Sequence, residues 1–197
     1  YKVITEDKPF TGGNDLSFFE DTNGKVYAYW NGAKVMNAAE VDMDKMQIKG
    51  NQTQLFTPDK GTWDQIGIEG PYMVKRNDTY YLMYSSWTRG YEIGYATSKS
   101  PLGPFVKYKN NPIYGAQSKE ACKKAGLPFT GDMNSPFRAV GHNEVFKGPN
   151  GRLWISAHGI VNGKDPSLVI DPIDFDAAGN MVATGPTYTP QTIKIKK

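Results

Sequence analysis

A chain of 197 residues can bury a substantial core, since domains of this size remove roughly 70% of their unfolded surface from water. The formal net charge is only +3 and the basic residues are scattered, which excludes a nucleic-acid-binding face. The basic end Lys194-Ile195-Lys196-Lys197 reads as a solvated tail. The single cysteine, Cys122, excludes an internal disulfide and any cysteine-rich metal site. No apolar run approaches the roughly 20 residues that span a bilayer, so neither a nucleic acid nor a membrane is expected as partner, and the protein is expected to be soluble.

The chain opens on Tyr1-Lys2-Val3-Ile4-Thr5 without an initiating Met or a signal peptide. The expectation is that processing or trimming removed sequence upstream and that the protein is secreted or periplasmic. Twelve Tyr, nine Phe and four Trp beside 21 Gly and 13 Pro are the composition of short strands joined by tight turns. The fold class is therefore all-β.

Taken in chain order, three segments share one grammar. Asp15 to Trp30 reads as a strand, an Asn23-Gly24 turn and a second strand, a strong hairpin signal. The first segment continues into a further strand over Ala33 to Glu40. Glu69 to Tyr84 repeats the pattern around Asn77-Asp78, and Tyr91 to Thr97 follows as that unit's outer strand. From Asn110 to Val140 the sequence is rich in Gly, Pro, Asn and Lys and reads as loop, with one short helix predicted over Ser118–Ala125. His142 to Ala157 repeats the hairpin around Gly148-Pro149-Asn150-Gly151.

Aligned on the aromatic residue of the second strand, Tyr27, Tyr81 and Trp154 lie 54 and then 73 residues apart, spacings that suit four-stranded propeller blades with one insertion. The prediction is a β-propeller of about three to four blades of four-stranded antiparallel sheets, filling residues 1–197 as one incomplete domain. Three blades do not close a ring, and open blades expose edges and core faces that something must cover. The expected cover is an upstream segment, a second chain or a departure from the parent fold.

The same alignment places three ionisable residues at one blade position, because Asp15, Glu69 and His142 each precede their aromatic partner by twelve residues. Innermost strands begin near a propeller's axis, so these side chains are expected to converge. Cleavage of a glycosidic bond needs two carboxyl groups, one of them protonated to donate to the leaving oxygen. Glu69 is the candidate general acid, since Gly70-Pro71 fixes the chain after it. Asp15 beside it would oppose its ionisation by like-charge repulsion and so act as a pKa modulator. Asp15 alone reads more readily as a turn or cap residue, and Glu69-Gly70-Pro71 alone is a weak signal. Their shared register carries the site.

Three roles are open to His142: lining the axis, hydrogen-bonding substrate or Asp15, or holding an axial metal ion through water. Trp63 and Trp87 are candidate sugar-stacking platforms, with Trp30 and Phe137 weaker ones. Inter-blade packing is the competing reading for each. Arg138 is a candidate for a substrate hydroxyl, set against an ordinary surface ion pair.

Asn14-Asp15-Leu16-Ser17-Phe18-Phe19-Glu20-Asp21-Thr22-Asn23-Gly24-Lys25-Val26-Tyr27, Glu69-Gly70-Pro71-Tyr72 with Tyr80-Tyr81-Leu82-Met83-Tyr84-Ser85, Gly141-His142-Asn143 with Gly151-Arg152-Leu153-Trp154, and the trailing Phe175-Asp176-Ala177-Ala178-Gly179-Asn180 and Gly185-Pro186-Thr187 resemble glycoside hydrolase family 43, and in particular its later blades. The resemblance implies a five-bladed propeller and an inverting hydrolase that acts on arabinose-, xylose- or galactose-containing plant polysaccharides. It implies Glu69 as general acid, Asp15 as the residue that tunes it and orients substrate, and His142 as the axial histidine. It implies no required cofactor, with calcium close to that histidine in some members.

The family's general base is an Asp in the first blade, upstream of the position that Asp15 matches. Asp7, followed by Lys8 and Pro9, is too close to the next motif to serve, and Asp165-Pro166 and Asp171-Pro172 lie at the far end. Three readings therefore stay open: a portion of an active glycosidase, an inactive propeller that binds glycans, and a scaffold whose site residues are relics.

Overall fold

The computed structural model describes residues 9–161, 164–193 and 195. Asp7, and with it Lys194, Lys196 and Lys197, lies outside them. The architecture is three antiparallel sheets in chain order, each built from consecutive strands because short turns allow only neighbours to pair.

The first sheet holds β1 (Asn14–Glu20), β2 (Val26–Gly32), β3 (Val35–Asp42) and β4 (Gln47–Phe56), paired in that order. The second holds β5 (Glu69–Arg76), β6 (Thr79–Ser86), β7 (Gly90–Ser98) and β8 (Val106–Lys107), with β9 (Tyr114–Gln117) paired to β7. A short helix, α1 (Lys119–Ala125), leads to the third sheet of β10 (Phe137–Lys147), β11 (Leu153–Val161), β12 (Ser167–Phe175) and β13 (Met181–Ala183). These are three propeller blades, with β1, β5 and β10 as the innermost strands and β5 lying between the other two.

Two departures from expectation stand out. The insertion from Asn110 to Val140 is not all loop: Tyr114–Gln117 adds a strand beside Gly90–Ile93 of β7. Burial of Tyr114 and Ala116, together with the backbone pairing, outweighs the Gly- and Pro-rich composition around them. The Asn23-Gly24 pair does not make a two-residue turn but sits in the five-residue loop Asp21 to Lys25, closed by Asp21 N–H to Lys25 O at 2.8 Å. Blade three repeats that loop, with Gly148 N–H donating to Arg152 O at 2.8 Å. In blade two Arg76 pairs directly with Thr79 across Asn77-Asp78.

Alternation along the strands assigns each face. Tyr80, Leu82 and Tyr84 of β6 pack with Tyr27, Tyr29 and Met36 between blades one and two. Tyr81 and Met83 point the other way, against Val140, Ile155 and Ala157 of blade three. Each large side chain buried there contributes roughly 1.5–3 kcal/mol. Their hydroxyls are used as well: Tyr72 donates to Val145 O at 2.8 Å and Tyr81 to Gly179 O at 2.7 Å, both across the blade two and blade three junction.

The outward faces of the terminal blades carry exposed apolar residues, Phe18 on β1 and Phe146, Leu168 and Val182 on blade three. Among the described residues no helix is long and apolar enough to cross a membrane.

Candidate active site

Each innermost strand carries a bulge near the site, between Asn14 and Ser17, between Glu69 and Tyr72, and between Gly141 and Glu144. A bulge inserts an extra residue and re-aims the side chain there. The residues in left-handed conformation at the three bulges are Asp15 (φ 56°), Gly70 (φ 58°) and His142 (φ 56°). Asp and His tolerate that region better than most side chains.

The true structural counterpart of Asp15 and His142 is thus Gly70, not Glu69. Phe19 pairs with Tyr27 and Phe146 with Trp154, but Val74 with Tyr81, so blade two's shorter turn moves the register by one residue. The side chains converge nonetheless. Ligand atoms of Asp15, Glu69 and His142 lie within 4.8 Å of one another, with the two carboxyls half-buried and the imidazole exposed.

Each of the three is held by its neighbours. Asp15 Oδ2 accepts from Gly70 N–H at 3.2 Å, and the Asn31 side-chain amide, turned with its nitrogen toward β1, donates to Asp15 Oδ2 and Asn14 O, both at 2.9 Å. The His142 N–H donates to Ser85 Oγ at 2.9 Å. The His142 ring lies over Gly70, where an added Cβ would come within 3.3 Å of it, so glycine is required there by conformation and by space together. Glu69 Oε1 accepts from the Tyr91 hydroxyl, which is also 3.4 Å from His142 Nδ1. Burial pushes the Tyr91 phenol well above its ordinary range, and the Glu69 carboxyl adds to the shift.

Glu69, His142 and Tyr91 line a cavity of about 340 Å³ together with Trp87, His158 and Ile160. A second cavity of about 380 Å³ continues past His142 and His158 to Glu144, Ser167 and Leu168. Burial lowers His158 from its ordinary value, the charge of His142 lowers it further, and Glu69 opposes both.

Of the residues singled out in the sequence, Asp15, Glu69, His142 and Trp87 are brought together. Trp87 is 41% exposed on the cavity rim. Trp63 is not at the site. It is buried against Tyr84, ring centroids 5.3 Å apart, because filling the junction of blades one and two removes more apolar surface from water than a rim position would, and it lines a separate cavity with Asp59 and Lys107. Arg138 lines neither cavity of the cleft; it is exposed on β10 at an irregularity in its pairing and forms no ion pair among the described residues. Trp30 is buried on the outward face of blade one with Ala28 and Val41, and Phe137 packs into the blade two and blade three core.

Tyr91 and His158 were missed. Tyr91 sits on a third strand and His158 on a second strand, directly opposite Gly141. The available signal was pairing: a histidine opposite the residue before His142 must sit beside it.

Asp171, set aside as a base because it lies at the far end of the chain, is fully buried and accepts from Tyr114 Oη at 2.6 Å and from Thr187 N–H and Oγ1 at 2.9 and 2.6 Å. It clamps β12 to β9 and the C-terminal loop, away from the cleft. Asp165 is exposed in the loop before β12. The donor set of two carboxylates and one imidazole does not fit calcium as direct ligands, since that ion takes about 6–8 oxygens and Asp15 Oδ2 and Glu69 Oε1 already accept hydrogen bonds.

The sequence is similar to that of a beta-D-galactofuranosidase of Aspergillus niger, 34% identical over 121 residues, covering 60% of this chain and 34% of that protein. It is also similar to an extracellular endo-alpha-(1->5)-L-arabinanase of Bacillus subtilis, 41% identical over 151 residues and covering 64% of this chain and 32% of that one. Among solved structures, a thermostable family-43 glycoside hydrolase superposes with TM-score 0.74 at 28% identity, over 93% of this chain and 61% of that one. An endo-1,4-beta-xylanase from Bacteroides thetaiotaomicron superposes with TM-score 0.75 at 27% identity, over 91% and 62%. The chain therefore spans about a third of the length of these curated relatives and about three fifths of these solved chains. The profile of the family described as glycosyl hydrolases family 43 matches residues 4–181, and the conclusion is direct: the chain belongs to that family.

Proposed function

We propose that these blades form part of an inverting glycoside hydrolase that acts on arabinose-, xylose- or galactose-containing plant polysaccharides or oligosaccharides. The observation that carries the reading is the meeting of Asp15, Glu69 and His142 within 4.8 Å in a cleft rimmed by Trp87. The relatives act on galactofuranosides and arabinans by their names, which supports the substrate class.

In this reading Glu69 donates its proton to the leaving glycosidic oxygen. Asp15 is the charge beside it and, through Gly70, fixes the backbone that carries it. His142 and Trp87 meet the sugar. No step is assigned to a metal, and calcium held through water at His142 would be auxiliary. A polysaccharide substrate too large to cross a membrane supports a secreted or periplasmic location.

Inversion needs a second carboxylate to activate water, some 6.5–9.5 Å from the acid. Asp15 is too near to fill that role, and Asp171 is a clamp. We assign the base to an upstream segment or a second chain that packs on the exposed apolar faces and completes a single propeller domain of which residues 1–197 are part.

That no carboxylate among the described residues fits the base also leaves a second reading, a glycan-binding propeller without turnover. One experiment separates them: incubate the intact protein with aryl arabinofuranosides and xylosides and follow the anomeric proton of the first product by NMR. Product of inverted configuration supports the hydrolase. Glycan binding without any product supports the second reading.

A further inference from the structure

We propose that Tyr91 is a positioning residue for Glu69: its hydroxyl holds one carboxyl oxygen so that the other presents the acid proton to the leaving group. The proposal rests on Glu69 being the general acid.

Tyr91 reaches the site from β7, the third strand of its blade, and its hydroxyl ends on Glu69 Oε1. Its ring lies in a slot that exists only because residue 141 is glycine. A Cβ at Gly141 would stand 2.4–2.5 Å from three ring carbons, nearer than atoms approach without displacement. His158 flanks the ring, centroids 5.3 Å apart, and the whole residue is only 6% exposed. A side chain so confined has little freedom to leave its partner.

Direction follows from chemistry. A phenol has one proton to give, and an ionised carboxylate can only accept. Burial keeps the Tyr91 phenol protonated, so toward the ionised carboxylate the bond runs from Tyr91 to Oε1. A proton taken up on Oε2 leaves the Tyr91 bond in place, whereas one on Oε1 would break it or force it to reverse, so the contact favours Oε2 as the site of the acid proton. Among the described residues no other hydrogen bond reaches the Glu69 carboxyl, so without Tyr91 the group is free to turn about its last torsion and to carry its proton on either oxygen. Oriented proton donors contribute about 10²–10⁴-fold to rate, and loss of orientation forfeits part of that.

The test uses Tyr91→Phe in the intact protein, which keeps the ring in its slot and removes only the hydroxyl. Two substrates are compared, an oligosaccharide whose sugar leaving group must be protonated and a dinitrophenyl glycoside whose leaving group needs no proton. The expected result is a fall in kcat of about 10–100-fold on the oligosaccharide, with KM and the dinitrophenyl rate nearly unchanged. Equal loss on both substrates, or no loss on either, overturns the proposal.

Glu69→Gln, run alongside, distinguishes the two levels. If it shows the selective loss while Tyr91→Phe does not, only the positioning role fails. If Glu69→Gln spares the oligosaccharide, the acid assignment fails and the proposal with it.

Discussion

Asp15 and Gly70 are joined across two blades by the hydrogen bond from the Gly70 amide to Asp15 Oδ2, 3.2 Å long. The bond links two bulges, both in left-handed conformation, at the residue immediately after Glu69. With Asn31 donating to the same oxygen, one carboxylate fixes the backbone of its own blade and of the next. Geometry at the site is therefore a property of the blade junction rather than of either strand alone.

Removing that acceptor should cost stability as well as geometry. Asp15→Ala leaves the Gly70 N–H without its acceptor and takes one of two acceptors from the Asn31 amide, at about 1–3 kcal/mol, and puts alanine in a left-handed conformation that costs a further ~1 kcal/mol. Asp15→Asn keeps an acceptor oxygen and tolerates the conformation, so its melting temperature should stay within a few degrees of the parent while turnover of the intact protein falls. Thermal melts beside rates check this. Equal melting temperatures for the two variants would contradict it.

Asp21 ties blade one to blade two from the loop at the other end of β1. Burial by itself would raise its carboxyl, but Lys75 Nζ, the Tyr80 hydroxyl at 2.6 Å and the Thr22 N–H at 2.7 Å outweigh it and hold it at about 2, against 3.8 ordinarily. A depressed carboxylate contributes stability that is full above its unfolded value and is lost as pH falls through its folded value. Asp21→Asn should thus be less stable than the parent by about 1–2 kcal/mol near neutral pH, and the gap should close between pH 4 and pH 2. Denaturation at several pH values measures it. A gap that stays constant down to pH 2 would refute the ion pair as its source.

His158 offers a readout of charge in the cleft. Its titration midpoint should lie below the ordinary 6.5 because burial and His142 both oppose its protonation while Glu69 favours it. His142→Ala should raise the midpoint and Glu69→Gln should lower it. With two histidines in the chain, NMR of the imidazole protons assigns itself once one is removed. Unchanged midpoints in both variants would mean that the three side chains do not share a site in solution.

Much of this was legible in the sequence, and the failures have physical causes. The hairpins are local, so hydrophobic alternation and turn residues revealed all three. Ser118 announced its helix correctly, capping it by accepting from Ala121 N–H at 3.1 Å. Counting twelve residues back from Tyr81 found Glu69, yet the exact structural equivalence was off by one because Asn77-Asp78 closes a tighter turn than its counterparts. Glu69 survives the slip because a bulge follows it and its side chain is long. Tyr91 and His158 escaped since only strand pairing and blade packing bring them in, and neither is written in local spacing. Trp63 shows the reverse case: an aromatic near a catalytic motif in sequence is as well explained by a junction that needs filling.

The most direct test of the account is turnover by Glu69→Gln in the intact protein, measured on an unactivated arabino- or xylo-oligosaccharide beside sugar binding by calorimetry. The account predicts a loss of about 10²–10⁴-fold in kcat with binding retained, since glutamine fills the same space and accepts the Tyr91 hydroxyl but has no proton to give. Turnover equal to that of the parent would contradict it and remove Glu69 from the chemistry.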